Sequence, residues 1–138
     1  ACFGEPFMPM HPGVYADLLS HKMAEHGSTA WLINTGWSGG SYGVGNRMKI
    51  KYTRAMLNAA LDGDLENVEY IVDKRFGFEI PKSCPGVPSE VLIPKQTWDD
   101  SNAYDATAEK LAAMFNENFE RYAAGVSDEV NAAAPVVN

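Results

Sequence analysis

Cysteine is scarce in this chain: Cys2 and Cys84 are the two among 138 residues. Two distant thiols build neither a disulfide framework nor a zinc site. They predict a reduced, cytoplasmic setting and two buried spectator thiols. Positive charge is also short, 11 Lys and Arg against 18 Asp and Glu. The resulting net charge of −7 argues against a nucleic-acid partner. No apolar run approaches about 18 residues, so no membrane-spanning helix is predicted. Histidine occurs at His11, His21 and His26 alone. The last two are five apart and do not share a helix face well, which argues against a helical metal pair. No His-Glu-x-x-His pattern is present. Asp62, Asp64, Asp99 and Asp100 are paired carboxylates, but they fall in loops and caps and read as solvated charges. What remains is ordinary globular composition, 46% apolar and 21% charged, sized for one domain or part of a larger one. The opening Ala1-Cys2-Phe3-Gly4 has no initiator Met and starts on apolar residues. It reads as the interior of a longer protein.

Against these absences, the stretch from Trp37 to Ala55 is rich in signals. A strand-like run, Trp31-Leu32-Ile33-Asn34-Thr35, leads into a loop with four glycines in seven residues, Gly39 to Gly45. Glycine lets backbone approach a ligand closely, and backbone N–H groups at a helix start favour anions. The loop is either a seat for a phosphorylated or aromatic ligand or a plain surface loop. It is not a phosphate-binding P-loop: Gly40 and Gly45 have the right spacing, but Asn46-Arg47 stands where Lys-Ser/Thr is needed. Beyond it, Arg47, Lys49, Lys51, Thr53 and Arg54 can all donate to an anion or a polar ring edge. They form a nucleotide-gripping strip or a solvated basic strand.

Elsewhere the patterning predicts helices and short strands. Pro12 opens a helix that Gly27 closes, with Tyr15, Leu18, Leu19 and Met23 on one face. Residues 29–35 form a buried strand, and residues 49–51 a short extended piece. A second helix covers residues 53–61, with Met56, Leu57, Ala60 and Leu61 inward, and ends at Asp62-Gly63-Asp64. Residues 68–72 and 76–80 are strands separated by Asp73-Lys74-Arg75. The proline-rich run from Pro81 to Pro88 resists regular structure and crosses the surface. The clearest helix spans residues 101–123, where Tyr104, Ala108, Leu111, Phe115, Phe119 and Tyr122 recur as a core stripe. The tail after Gly125 is expected to fray.

These residues also carry a resemblance. Ala1-Cys2-Phe3-Gly4-x-Pro6-Phe7, His11-Pro12, Leu32-Ile33-Asn34-Thr35-Gly36-Trp37 and Gly43-Val44-Gly45-x-Arg47 are part of it. So are Tyr52-Thr53-Arg54-Ala55, Glu66-Asn67-Val68-Glu69, Cys84-Pro85-Gly86-Val87-Pro88-Ser89 and the Phe-x-x-Asn-Phe-x-x-Tyr of Phe115 to Tyr122. Over nearly its whole length the chain resembles the C-terminal part of ATP-dependent phosphoenolpyruvate carboxykinases.

The resemblance implies an α/β fold, a mixed sheet with flanking helices, in which residues 1–138 are the C-terminal part of the ATP-binding domain. It implies a lyase of gluconeogenesis that turns oxaloacetate and ATP into phosphoenolpyruvate, carbon dioxide and ADP with magnesium and manganese. Within this stretch it assigns Arg47 and Met48 to the adenine end of ATP and Thr53 to the nucleotide. The P-loop, the metal ligands and the oxaloacetate-binding residues would lie upstream, in a portion against which this chain packs. One departure is local: Asn46 stands where the family usually has lysine, which removes a positive charge. The rival expectation is a stand-alone, non-catalytic adenine-nucleotide module.

Overall fold

A computed structural model describes residues 4–137; Cys2 lies outside them. A 3-10 turn, Glu5–Phe7, precedes the first helix, α1 (Pro12–His26). His11 is its N-cap, its Nδ1 accepting from the Gly13 N–H at 3.1 Å, and Gly27 ends it in the left-handed region. The start of α1 is keyed into the far end of the chain. The Gly13 backbone lies so close to the Gly125 carbonyl that a Cβ would collide, and the His11 ring stacks edge-on to Tyr122 at 6.0 Å. Further along α1, Leu18 and Leu19 are exposed, so its expected apolar face is uncovered.

Strands β1 (Trp37–Ser38) and β2 (Asn46–Arg47) pair antiparallel and close the glycine loop. Helix α2 (Ile50–Asp62) begins three residues earlier than its apolar pattern suggests. Lys49 is its extended N-cap, so the expected extended piece shrinks to that one residue. Gly63 caps the other end, donating to the Ala59 carbonyl. Ala59 is the buried residue of α2, whereas Leu57 and Leu61, expected inward, face outward.

The two expected strands are present but start later, as β3 (Tyr70–Val72) and β4 (Glu79–Pro81), and pair antiparallel as a hairpin. The Asp73 carboxylate shapes its turn, accepting from the Arg75 and Phe76 amides at 3.0 and 2.8 Å. The proline-rich run that follows is not a surface crossing. Cys84 and Val87 bridge across a Pro85-Gly86 turn and are both buried. With Ala59 and Leu65 they make the main core cluster. Pro85 and Gly86 suit the central positions of a tight turn, and the turn folds two apolar side chains inward. Helix α3 (Ser89–Leu92) and a 3-10 turn, Pro94–Thr97, lead to α4 (Ser101–Ala123).

The bounds of α4 match the sequence reading, and the Asp100 carboxylate caps it by accepting from the Asn102 and Ala103 amides. Its stripe is core in part. Ala108 and Ala112 are buried, but Phe115 is 52% exposed, its ring meeting that of Phe76 edge-on at 6.4 Å. The tail does not simply fray. Helix α5 (Asp128–Ala132) follows, and the tail then docks: Val136 N–H donates to the Arg75 carbonyl at 2.8 Å, and Asn116 Nδ2 to the Pro135 carbonyl at 3.0 Å.

Helix and sheet are both present, but the sheet consists of two small antiparallel ladders among the described residues. The expected buried strand at 29–35 belongs to neither. Its side chains alternate, Trp31 and Ile33 half-buried, Leu32 79% exposed. No backbone group from 29 to 35 has a hydrogen-bond partner among the described residues. Local propensity makes such a run strand-like, whereas a ladder needs a neighbour.

Two outcomes follow from this packing. Ala112 is fully buried, so Ala112→Leu overpacks its site and costs about 1–3 kcal/mol, lowering the thermal midpoint by several degrees. Phe115→Ala costs less than the ~3–5 kcal/mol of a true core phenylalanine. If Phe115→Ala proves the more damaging of the two in a melting experiment, the stripe is core after all. Cys84 is 6% exposed. Burial first, and the charge of Asp64 second, push its thiol above the ordinary cysteine value. Its thiolate is therefore rarer than that of a free cysteine at pH 8. Peptide mapping after iodoacetamide treatment should find Cys84 unmodified in the native chain and modified in denaturant; rapid native labelling would contradict its burial.

Candidate functional site at the start of helix α2

The glycine loop turns back on itself. The Ser41 carbonyl accepts from both the Val44 and Gly45 amides, at 3.0 and 2.9 Å. A Cβ on Gly45 would meet the Ser38 carbonyl oxygen at 2.5 Å, and one on Gly39 the Thr97 carbonyl oxygen at 2.6 Å. The space beside these two glycines is filled by the chain's own backbone. They serve the close packing of the loop, so their presence does not itself call for a ligand. Ser38 Oγ also bonds Thr97 Oγ1 at 3.1 Å, fastening the loop to the 3-10 turn before α4. At the tip, Tyr42 packs edge-on to Trp37 at 5.1 Å, a pair that carried no signal in the sequence.

The loop delivers the chain to the basic strip. Arg47 ends β2 opposite Trp37, with its side chain exposed and without an ion-pair partner among the described residues. The Met48 amide donates to the Gly36 carbonyl at 2.7 Å, and the Met48 side chain is buried beside a large cleft. Thr53 is half-buried in the first turn of α2, its amide donating to the Lys49 carbonyl at 3.2 Å. The three assigned residues thus bracket one helix start, Met48 on the inside and Arg47 on the outside.

Sequence reasoning missed the organiser of this strip, Tyr52. The Lys51 and Lys49 ammonium groups sit over its ring, 4.9 and 5.7 Å from the centroid. Aromatic and basic residues one and three apart at a helix start are the signal that could have found it. No described ion pair involves Arg47, Lys49, Lys51 or Arg54. Four cations without a carboxylate partner, in a chain of net charge −7, favour an anionic ligand. The opening amides of α2 add to this, since its N-cap is lysine and makes no side-chain cap. This donor set fits a phosphate-bearing ligand or a base stacked on a guanidinium.

It does not fit a metal. Among the described residues no three His, Cys, Asp or Glu side chains gather to hold one. Nor is any helix of the described residues long and apolar enough to cross a membrane.

Beside the strip opens a cleft of about 1500 Å³. Residues 29–34 and α2 form one wall, the β3–β4 hairpin and the segment around α3 the other. Trp31 and Tyr70 face each other there, ring centroids 6.5 Å apart. The Tyr70 hydroxyl donates to the Leu65 carbonyl at 2.5 Å. Burial, then the charges of Glu79 and Glu66, raise its pKa above the usual tyrosine value.

A family model described as phosphoenolpyruvate carboxykinase matches residues 1–90. Among curated proteins, the chain is similar to the phosphoenolpyruvate carboxykinase (ATP) of a Ruegeria species, 57% identical over 133 residues, which are 96% of this chain and 25% of the relative. That of Thermus thermophilus is 57% identical over 135 residues, 98% of this chain and 26% of the relative. That of Geotalea uraniireducens is 59% identical over 129 residues, 94% and 24%. The chain spans about a quarter of the length of the curated relatives it matches.

Proposed function

The chain belongs to the phosphoenolpyruvate carboxykinase family, and from that premise we propose that it serves as the C-terminal part of the ATP-binding domain of an ATP-dependent, cytoplasmic carboxykinase. The reaction is the conversion of oxaloacetate and ATP to phosphoenolpyruvate, carbon dioxide and ADP. The observation that carries the role of this stretch is the uncompensated basic strip at the start of α2. The exposed Arg47 guanidinium lies against the adenine end of the nucleotide. Buried Met48 fixes the backbone that presents it, and Thr53 offers a hydroxyl from the first turn of α2. Asn46 leaves Arg47 as the cation of β2.

In phosphoryl transfer the protein mainly positions groups and neutralises charge. The residues here position one end of ATP. Magnesium and manganese supply charge neutralisation at the phosphates when bound, on ligands outside the described residues. A stand-alone nucleotide-binding module is the weaker reading, because a self-sufficient domain covers its own core. This one exposes 10193 Å², where a compact chain of its length exposes about 7,100 Å².

The reading is tested in a full-length chimera in which these 138 residues replace the matching quarter of a curated relative. Loss of a guanidinium against a base costs roughly 1–2 kcal/mol. Arg47→Ala should therefore raise the apparent KM for ATP several-fold and move that for oxaloacetate far less; an unchanged ATP requirement sinks the assignment of Arg47. The 138-residue chain alone should form no phosphoenolpyruvate with manganese, magnesium and saturating substrates. Metal-dependent turnover above background would place the catalytic groups within it.

A further inference from the structure

Most bonds that hold the glycine loop are local. The Asn34 side chain accepts from the Gly36 amide at 2.8 Å and donates to the Trp37 carbonyl at 3.1 Å, and the Met48 amide reaches the Gly36 carbonyl. One bond leaves this neighbourhood. Ser38 Oγ meets Thr97 Oγ1 at 3.1 Å across 59 residues of sequence. Among the described residues no other hydrogen bond ties residues 36–46 to a distant element. Its direction is set by the Thr97 hydroxyl, which gives its one proton to the Pro94 carbonyl at 2.7 Å and so accepts from Ser38.

Thr97 is itself held firmly. Its 3-10 turn is clamped to α4 by Lys95, whose ammonium meets the two Asp105 oxygens at 2.9 and 2.7 Å. Next to it, Trp98 packs edge-on to Tyr104 at 5.8 Å. Gly39 adds a second point of contact, lying so close to the Thr97 carbonyl that a Cβ would collide. What this seat fixes is β2, because Ser38 is the cross-strand partner of Asn46, and Trp37 that of Arg47. Two strands of two residues each have little stiffness of their own. Where Ser38 is held, the start of the basic strip is held.

We propose that Thr97 is a positioning residue for ATP, acting through its bond to Ser38 to seat the glycine loop and β2 at the nucleotide. This rests on the nucleotide reading of the basic strip. No pattern around Thr97 announces it, since its partner is 59 residues away.

Steady-state kinetics of the full-length chimera tests it. Thr97→Val keeps the side-chain shape and removes the hydroxyl. It should raise the KM for ATP about two- to fivefold, the scale of one neutral hydrogen bond, and leave kcat and the KM for oxaloacetate in place. A variant that merely unfolded in part would lose kcat instead. Thr97→Ser, which keeps the hydroxyl, should restore the original KM. Ser38→Ala should match Thr97→Val, and the double variant should be no worse than either, because both remove the same bond. Effects that multiply in the double variant overturn the proposal, as does a loss confined to kcat or a failure of Thr97→Ser to restore. Arg47→Ala, measured beside them, separates the two readings. If it raises the KM for ATP and Thr97→Val does not, the positioning role falls and the Arg47 assignment stands. If Thr97→Val and Ser38→Ala share one rise and Arg47→Ala shows none, the positioning role stands and the Arg47 assignment falls.

Discussion

The packing of Ala59 and Leu65 against the Cys84–Val87 turn is the contact on which the rest of the arrangement depends. It is small: no large side chain among the described residues is fully buried. Yet it fixes α2 against the segment that follows the β3–β4 hairpin. Once α2 is fixed, its first turn, the Tyr52 ring and the two lysines over it are fixed as well. The backbone bond from Met48 to Gly36 then ties the glycine loop to the same frame. A candidate binding site is thus hung from a small cluster, against which Trp31, Tyr52, Met56 and Leu92 pack half-buried.

Much of this could be read from the sequence where the controlling forces are local. Pro12 and Gly27, Asp100 and Gly63 mark helix ends because caps act on amides and carbonyls within a turn of themselves. The Asp73 turn was legible for the same reason. What escaped depends on distant neighbours. Whether residues 29–35 are a strand depends on a partner strand, and no local pattern encodes its absence. The apolar faces of α1 and α4 are periodic as expected, but periodicity says that a face wants cover, not that cover is present. The Pro81 to Pro88 run looked irregular and exposed. Its conformation is indeed a turn, yet the turn carries Cys84 and Val87 into the core.

The site was half legible. Arg47, Met48 and Thr53 were picked by resemblance, and the fold gathers them at one helix start. The glycines suggested ligand approach, but two of them are pressed against the chain's own carbonyls. Glycine reports that something comes close to the backbone; it does not report what. The basic strip could be read as a nucleotide grip or a solvated strand, because the tether of its lysines, the adjoining Tyr52, is a residue type as common in cores as on surfaces. Clasped over that ring, they lose less rotamer freedom on meeting an anion than free lysines would.

The junction of His11 and Gly13 with Gly125 and Tyr122 sets an order of events. Its two halves lie about 110 residues apart, a separation whose closure cost grows only slowly with length but whose timing is set by synthesis. A ribosome finishes α1 early and α4 late, at about 5–20 residues per second. For several seconds the start of α1 has no counterpart to lock into, while its caps already hold the helix. Of the helices described here, α1 is therefore completed first and locked last, its start held by its own caps until Gly125 and Tyr122 arrive.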